Sequence, residues 1–238
     1  SFACFTVGAA KKLRFGLGAV KNVGGNIVQA IIDERKARGS FLSLADFANR
    51  VAHKDFNKKS IESLAKCGAL DALAERNALL ENIDLILEYN HDVQRNRAGG
   101  QVSLFSVAST AAAPPALALK HAEHASKREK LQWEKELLGL YVSSHPVQDH
   151  MDTFTRNNIL PIRELGPNLR NQSIAIGGVI SAIKKITTKS GEPMLFVNIE
   201  DLTGKTEVLV FPRTLAQFPH IWQPEKIVFV RGRVSDKD

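Results

Sequence analysis

Leu17-Gly18-Ala19-Val20-Lys21-Asn22-Val23-Gly24-Gly25-Asn26-Ile27-Val28 places a glycine-rich tight turn directly before an apolar-faced helix. In such a turn the backbone N–H groups face outward and glycine leaves room for a phosphate. The helix N-terminus that follows adds partial positive charge, and Lys21 adds a full one. Anion binding is the chemistry this arrangement suits; the alternative is an αα-hairpin that only joins two helices. Beyond it, Ile27, Val28, Ile31 and Ile32 recur at helical spacing up to Gly39. Leu42, Leu44 and Phe47 mark a short helix. Ile61, Leu64 and Ala65 mark another, stopped at Gly68, and Arg76 to Asn90 a longer fourth. Residues 16–90 are therefore predicted to be all-helical.

The hairpin resembles a helix-hairpin-helix, a motif that grips the DNA backbone without reading sequence and whose turn usually reads Gly-hydrophobic-Gly. Here Asn22 stands at the first glycine, a residue that tolerates the left-handed conformation better than most. The resemblance assigns Lys21, Asn22, Val23, Gly24, Gly25 and Asn26 to the duplex backbone. A weaker copy runs from Ile61 to Leu73 around Cys67-Gly68-Ala69-Leu70, where a structural turn is the favoured reading.

Past the helices, Gln101-Val102-Ser103-Leu104-Phe105 follows Gly99-Gly100 and precedes an Ala-rich stretch with Pro114-Pro115. An amide heading two apolar anchors, with no nearby core to bury them, is how short docking peptides engage a partner; a strand edge is the competing reading. Val107 to Ala118 has too little bulk for a core and two prolines against a helix, so residues 106–125 are expected to be linker. From Ser126 helical spacing resumes through Trp133, Leu137, Leu138 and Leu140, opened by a Ser126/Glu129 capping box and ending before His145-Pro146. Trp133 is expected in a core and His145 in a turn.

After Gly166 the period changes to that of strands, at Ile174–Ile186, Met194–Ile199, Thr206–Phe211 and Ile227–Val234. Four antiparallel strands at this spacing resemble an OB-fold, whose barrel has five; the fifth is expected to be missing from this chain. On the last strand Phe229, Arg231 and Arg233 alternate onto one face and Val228, Val230 and Val234 onto the other. Lys184 and Lys185 close the first strand, and Lys189 lies in the next turn. Rings and cations on one face of a small barrel suit single-stranded nucleic acid, so Lys184, Lys185, Lys189, Phe229, Arg231 and Arg233 are the candidates. Phe229 equally suits a core; Phe196 and Phe211 are expected to pack.

Composition is that of an ordinary globular chain, and its mild basicity suits either a polyanionic partner or solubility alone. Its 238 residues suit about two domains, and the net charge of +7 comes from 32 basic against 25 acidic side chains. The excess lies in the flanking modules, residues 1–105 and 166–238, with residues 106–165 balanced. A polyanion touching both modules would release counterions at each. No run approaches the ~18 apolar residues of a membrane span, and Ser1 to Phe5 lack the basic start and cleavage site of a signal peptide, as expected of a segment from within a longer protein. The two cysteines, Cys4 and Cys67, form no metal-binding spacing, which suits a reducing cytosol. Catalytic signatures are missing: there is no paired-aspartate metal site, nucleophile elbow or phosphate-binding loop.

Six segments occur in an order similar to that of the bacterial replicative DNA polymerases of the C family: Arg14–Lys21, Ser43–Phe47, Gly68–Asp71, Gly100–Phe105, Trp133–Tyr141 and Phe196–Gly204. The resemblance spans nearly the whole chain and is weakest in residues 1–12 and 106–125. It implies an α+β multidomain C-terminal segment. Residues 1–12 would end the preceding fingers region, 13–98 form the helix-hairpin-helix domain, 99–105 the motif that holds the sliding clamp, 126–165 a connecting helical segment and 166–238 the OB domain. The parent would be a DNA-directed DNA polymerase of the bacterial cytoplasm, with its Mg2+-binding palm upstream of Ser1 and a tau-binding tail beyond Asp238. This piece would hold double- and single-stranded DNA and the clamp, without cofactor and without catalysis; contacts with epsilon and tau would lie outside it. A DNA-repair adaptor combining the two domains, or an OB-fold RNA binder, are the alternatives.

Overall fold

The computed structural model describes residues 3–7, 13–98 and 117–235. The chain divides into two compact units, Ser1–Val142 and Ser143–Asp238.

In the first unit a two-stranded ribbon, β1 (Thr6–Val7) with β2 (Leu13–Arg14), leads into a short 3-10 turn at Leu17–Ala19. Among the described residues six helices follow: α1 (Gly25–Arg38), α2 (Leu44–Arg50), α3 (Lys58–Lys66), α4 (Arg76–Glu81), α5 (Ile83–Ala98) and α6 (Lys127–Leu138). The expected helix-forming residues are the ones buried. Ile27, Val28, Ile31 and Ile32 of α1 meet Phe47, Ile61, Leu64, Leu79 and Ile86 in one core. Side chains also mark the helix starts: Ser43 accepts from the N–H of Asp46, Asn57 from that of Ser60, and Ser126 and Glu129 form the expected capping box.

Two expectations about the middle of the chain change. The described end of the expected linker, residues 117–125, lies against the helical unit. Leu117 and Leu119 pack on its core, Ala122 and Ala125 are buried, and Lys120 and Asn82 exchange two hydrogen bonds of 2.8 and 3.0 Å. Helix α6, expected in a connecting segment over 126–165, belongs to the same unit: Leu137 is 3% exposed in the core, and buried Glu134 accepts from Arg76 at 3.1 Å. What holds this part of the chain is the packing of Leu117, Leu119, Ala122 and Ala125 and the backbone bonds of Lys120. Trp133 is half-buried under the ammonium of Lys66, 6.0 Å from its ring centre.

The second unit opens with a 3-10 turn at Pro146–His150, where His145 accepts from the N–H of Val147, and α7 (Met151–Arg156). Its sheet has four antiparallel strands, β3 (Ser173–Thr187), β4 (Pro193–Glu200), β5 (Lys205–Val210) and β6 (Ile227–Arg233), in the order β5-β4-β3-β6. A short helix, α8 (Pro212–Gln217), follows β5 and was not expected. Long β3 bends at an irregularity between Ile180 and Ala182. Its first half pairs with β6 and its second with β4, which curls the sheet around Ile180, Leu195, Val197, Ile199, Val210 and Val228. Among the described residues no strand joins β5 to β6.

Candidate nucleic-acid interface

The hairpin is built from a buried frame and an exposed lip. Leu17, Val20 and Val23 point inward at 5–8% exposure, and the N–H of Lys21 donates to the carbonyl of Leu137 at 3.0 Å, tying the turn to α6. Asn22 adopts the left-handed conformation at φ +66°, so the turn survives the replacement of glycine. Gly24 caps α1 without a side chain, no acid lies in the first turn, and a β-carbon on Gly25 would meet nothing within 4 Å. The first-turn N–H groups of a helix have no intrahelical acceptor, so this end offers donors and positive potential to an anion. Lys21, Asn22, Gly24, Gly25 and Asn26 are all exposed. Val23 is the exception: its side chain belongs to the core and supports the lip.

The weaker copy is structural. Gly68 is left-handed at φ +81°, and the place of its missing side chain is taken by the guanidinium of Arg76. Arg76 in turn binds Asp71, Glu134 and the carbonyl of Lys66.

On the sheet, residues opposite one another in antiparallel strands share a face. Phe229, Arg231 and Arg233 stand opposite Gly177, Ala175 and Ser173 in the first half of β3, whereas Lys184 stands opposite Phe196 in the second half. From Ala175 to Lys184 the strand runs up to ~30 Å. The six candidates are therefore two groups and not one surface. Lys185 pairs with buried Leu195 and lies on the other face from Lys184, while Lys189 is exposed in the turn between β3 and β4. Phe229 is 48% exposed, yet its ring meets Phe154 edge-on at 5.0 Å, and Gly177 makes space for the pair: a β-carbon there would lie 2.9 Å from Phe154. Helix α7 thus covers part of the face beside Arg231.

The face left open lies on β4 and β5. Lys184, Phe196 and Leu209 form a row across three strands, with Asn198 and Glu207 in the next rank. Phe196 is half-buried and Leu209 is 41% exposed; Phe211 beyond the strand is 58% exposed. Strands two and three of an OB barrel are where oligonucleotides lie. The period-2 pattern of β4 carried this information, since Phe196 and Asn198 alternate with core Leu195, Val197 and Ile199.

Gln101, Val102, Ser103, Leu104 and Phe105 lie outside the described residues. Among the described residues no cluster of three or more His, Cys, Asp or Glu side chains could hold a metal, and no helix is long and apolar enough to cross a membrane.

Two family models match: a helix-hairpin-helix motif over residues 1–79 and an OB-fold nucleic acid binding domain over residues 174–238. The first match includes residues 1–12, which had been expected to close a preceding region. The chain is also similar to curated proteins named DNA polymerase III subunit alpha. It is 32% identical over 227 residues to that of Vibrio cholerae, covering 94% of this chain and 19% of the relative. The Mycobacterium tuberculosis protein is 31% identical over 233 residues, covering 95% and 20%; that of Borreliella burgdorferi is 33% identical over 229, covering 94% and 20%. The chain thus spans about a fifth of the length of these relatives.

Proposed function

We propose, for a chain that over nearly its whole length is a relative of one segment of the bacterial DNA polymerase III alpha subunit, that it is the part of a replicative polymerase that holds DNA and does no chemistry itself. Nucleotidyl transfer, and the Mg2+ it needs, would belong to other parts of such a polymerase. The observation that carries the reading is the lip at Lys21 to Asn26: an uncapped end of a 14-residue helix, two glycines open to solvent and an exposed lysine, on a rigid support. Backbone N–H groups at a helix N-terminus bind phosphate without regard to base sequence, which is what a polymerase travelling along DNA requires. The OB module adds a second hold, on unpaired template, through the Lys184, Phe196 and Leu209 row, where a ring can stack on a base and the ammonium meet a phosphate. Gln101 to Phe105 would dock on the sliding clamp, with Leu104 and Phe105 as anchors. Kinship along 94–95% of the chain favours this reading over a repair adaptor or an RNA-binding module.

Changing Lys21→Glu should weaken duplex binding to a similar degree for every sequence. It should also lower the slope of log affinity against log salt by about 1, the counterion share of one phosphate contact. Anisotropy titrations of a labelled duplex over a range of salt measure both, and an unchanged slope would make the hairpin a purely structural turn.

A further inference from the structure

The segment Lys54-Asp55-Phe56-Asn57-Lys58-Lys59 runs from the loop after α2 into the first turn of α3 and carries three lysines and a single acid. That one acid is turned toward the hairpin. Asp55 Oδ2 lies 3.5 Å from the side-chain amide of Asn26 and 3.9 Å from where a β-carbon on Gly24 would stand, at the lip that offers its donors to an anion. No lysine or arginine is paired with it among the described residues. His53 Nδ1 is 3.6 Å away, but that atom accepts the N–H of Asp55 itself at 3.1 Å. Asp55 is a third exposed, and the backbone on both sides is fixed by buried Val51 and Phe56.

We propose that Asp55 is a built-in competitor of the DNA phosphate at the hairpin, and sets its affinity below what the helix end and Lys21 would otherwise give. The inference rests on the hairpin reading above. A carboxylate gains from the positive end of α1 as a phosphate does. A phosphate arriving at Gly24 and Gly25 finds that potential partly spent and a like charge within a few ångströms. Two such charges about 7 Å apart, between the effective dielectric of about 20 at a protein surface and about 80 in water, change an affinity by roughly three- to fiftyfold, and salt screening of a carboxylate a third exposed puts the effect at the low end, about three- to tenfold. Weak, sequence-blind holding lets a protein advance along DNA, and one acid among three lysines supplies the weakening where it acts.

The test uses the whole chain and a labelled 20-base-pair duplex of arbitrary sequence, titrated by anisotropy at several salt concentrations. Asp55→Asn and Asp55→Ala should both tighten binding about three- to tenfold at low salt, with the gain shrinking as salt screens the charge. Glu81→Gln, the same change in net charge on exposed Glu81, should alter it less than twofold. Unchanged or weaker binding in both Asp55 variants, while Lys21→Glu still weakens binding, would overturn the proposal and leave the hairpin reading standing. Tightening in Asp55→Asn alone would also overturn it, since the new amide would then be donating to phosphate. If Lys21→Glu is itself without effect, the hairpin reading fails and the competitor with it.

Discussion

Single residues set the limits of the proposed duplex site, and several are legible only in three dimensions. Asn22 could be assigned to a left-handed turn from its type and place. Val23 could not be told from a ligand by sequence: its neighbours are exposed, and burial alone makes it a support. Glu75 went unnoticed altogether, because glutamate is a poor helix cap by statistics. It nevertheless accepts from the N–H groups of Asn77 and Ala78 at the start of α4, from Ala125 at 3.0 Å and from Lys130 at 3.2 Å. Burial raises the pKa of this carboxyl, but the combined hydrogen bonds outweigh it and bring it down to about 2 from an ordinary 4.5. A depressed carboxylate stabilises the fold above its unfolded pKa and loses that contribution as it is protonated. Stability should therefore fall between about pH 4.5 and pH 2, by on the order of 3 kcal/mol for this group. Urea titrations across that range should show a flatter profile for Glu75→Gln, with lower stability at neutral pH; an equally steep profile would assign the acid sensitivity to other carboxylates.

At the scale of elements, sequence periodicity located α1, α3, α6 and the four described strands of the sheet to within a few residues, but it read one helix over Arg76 to Asn90 where the chain breaks at Asn82 into α4 and α5 and α5 runs on to Ala98. Ile27 to Ile32 have helical spacing and Met194 to Ile199 alternate, so burial of one face determines each. Short elements escaped: the ribbon of β1 and β2 is two residues wide, and α8 has no buried residue to give it a period. Convergence of elements escaped too. Alternation places Phe229, Arg231 and Arg233 on one face of β6, but only pairing shows them opposite the first half of β3, far along the strand from Lys184. If the open face of β4 and β5 holds single-stranded DNA, Lys184→Ala with Phe196→Ala should cost about 1–3 kcal/mol per lost stacking contact in binding a labelled oligothymidine. Arg231→Ala with Arg233→Ala should cost less, and mainly through salt-sensitive attraction. The reverse ranking would return the binding surface to β6.

For the molecule as a whole, charge and the order of motifs identified two nucleic-acid-binding modules, while the fate of the chain between them was not legible. Ala and Pro content suggested a tether running from one module to the other. The described residues show it rejoining the first: α5 ends at Ala98, and by Leu117 the chain is again on the core of the helical unit, reaching Asn82 at Lys120. The described residues on either side of Gln101 to Phe105, up to Ala98 and from Leu117, both belong to the helical unit. Replacing Leu104 and Phe105 by Ala should cost at least ~2 kcal/mol of affinity for the bacterial sliding clamp by calorimetry, the scale of an interface anchor. Duplex binding should stay unchanged; equal clamp affinity in the two proteins would exclude the peptide as the dock. The return of the chain also predicts that the helical unit should hold together without the covalent link across residues 99–116. Lys120, Ala125 and Glu134 fasten the downstream piece to Asn82, Glu75 and Arg76, and a protease cut between Gly99 and Pro115 should leave two polypeptides that co-elute in gel filtration and separate only in denaturant.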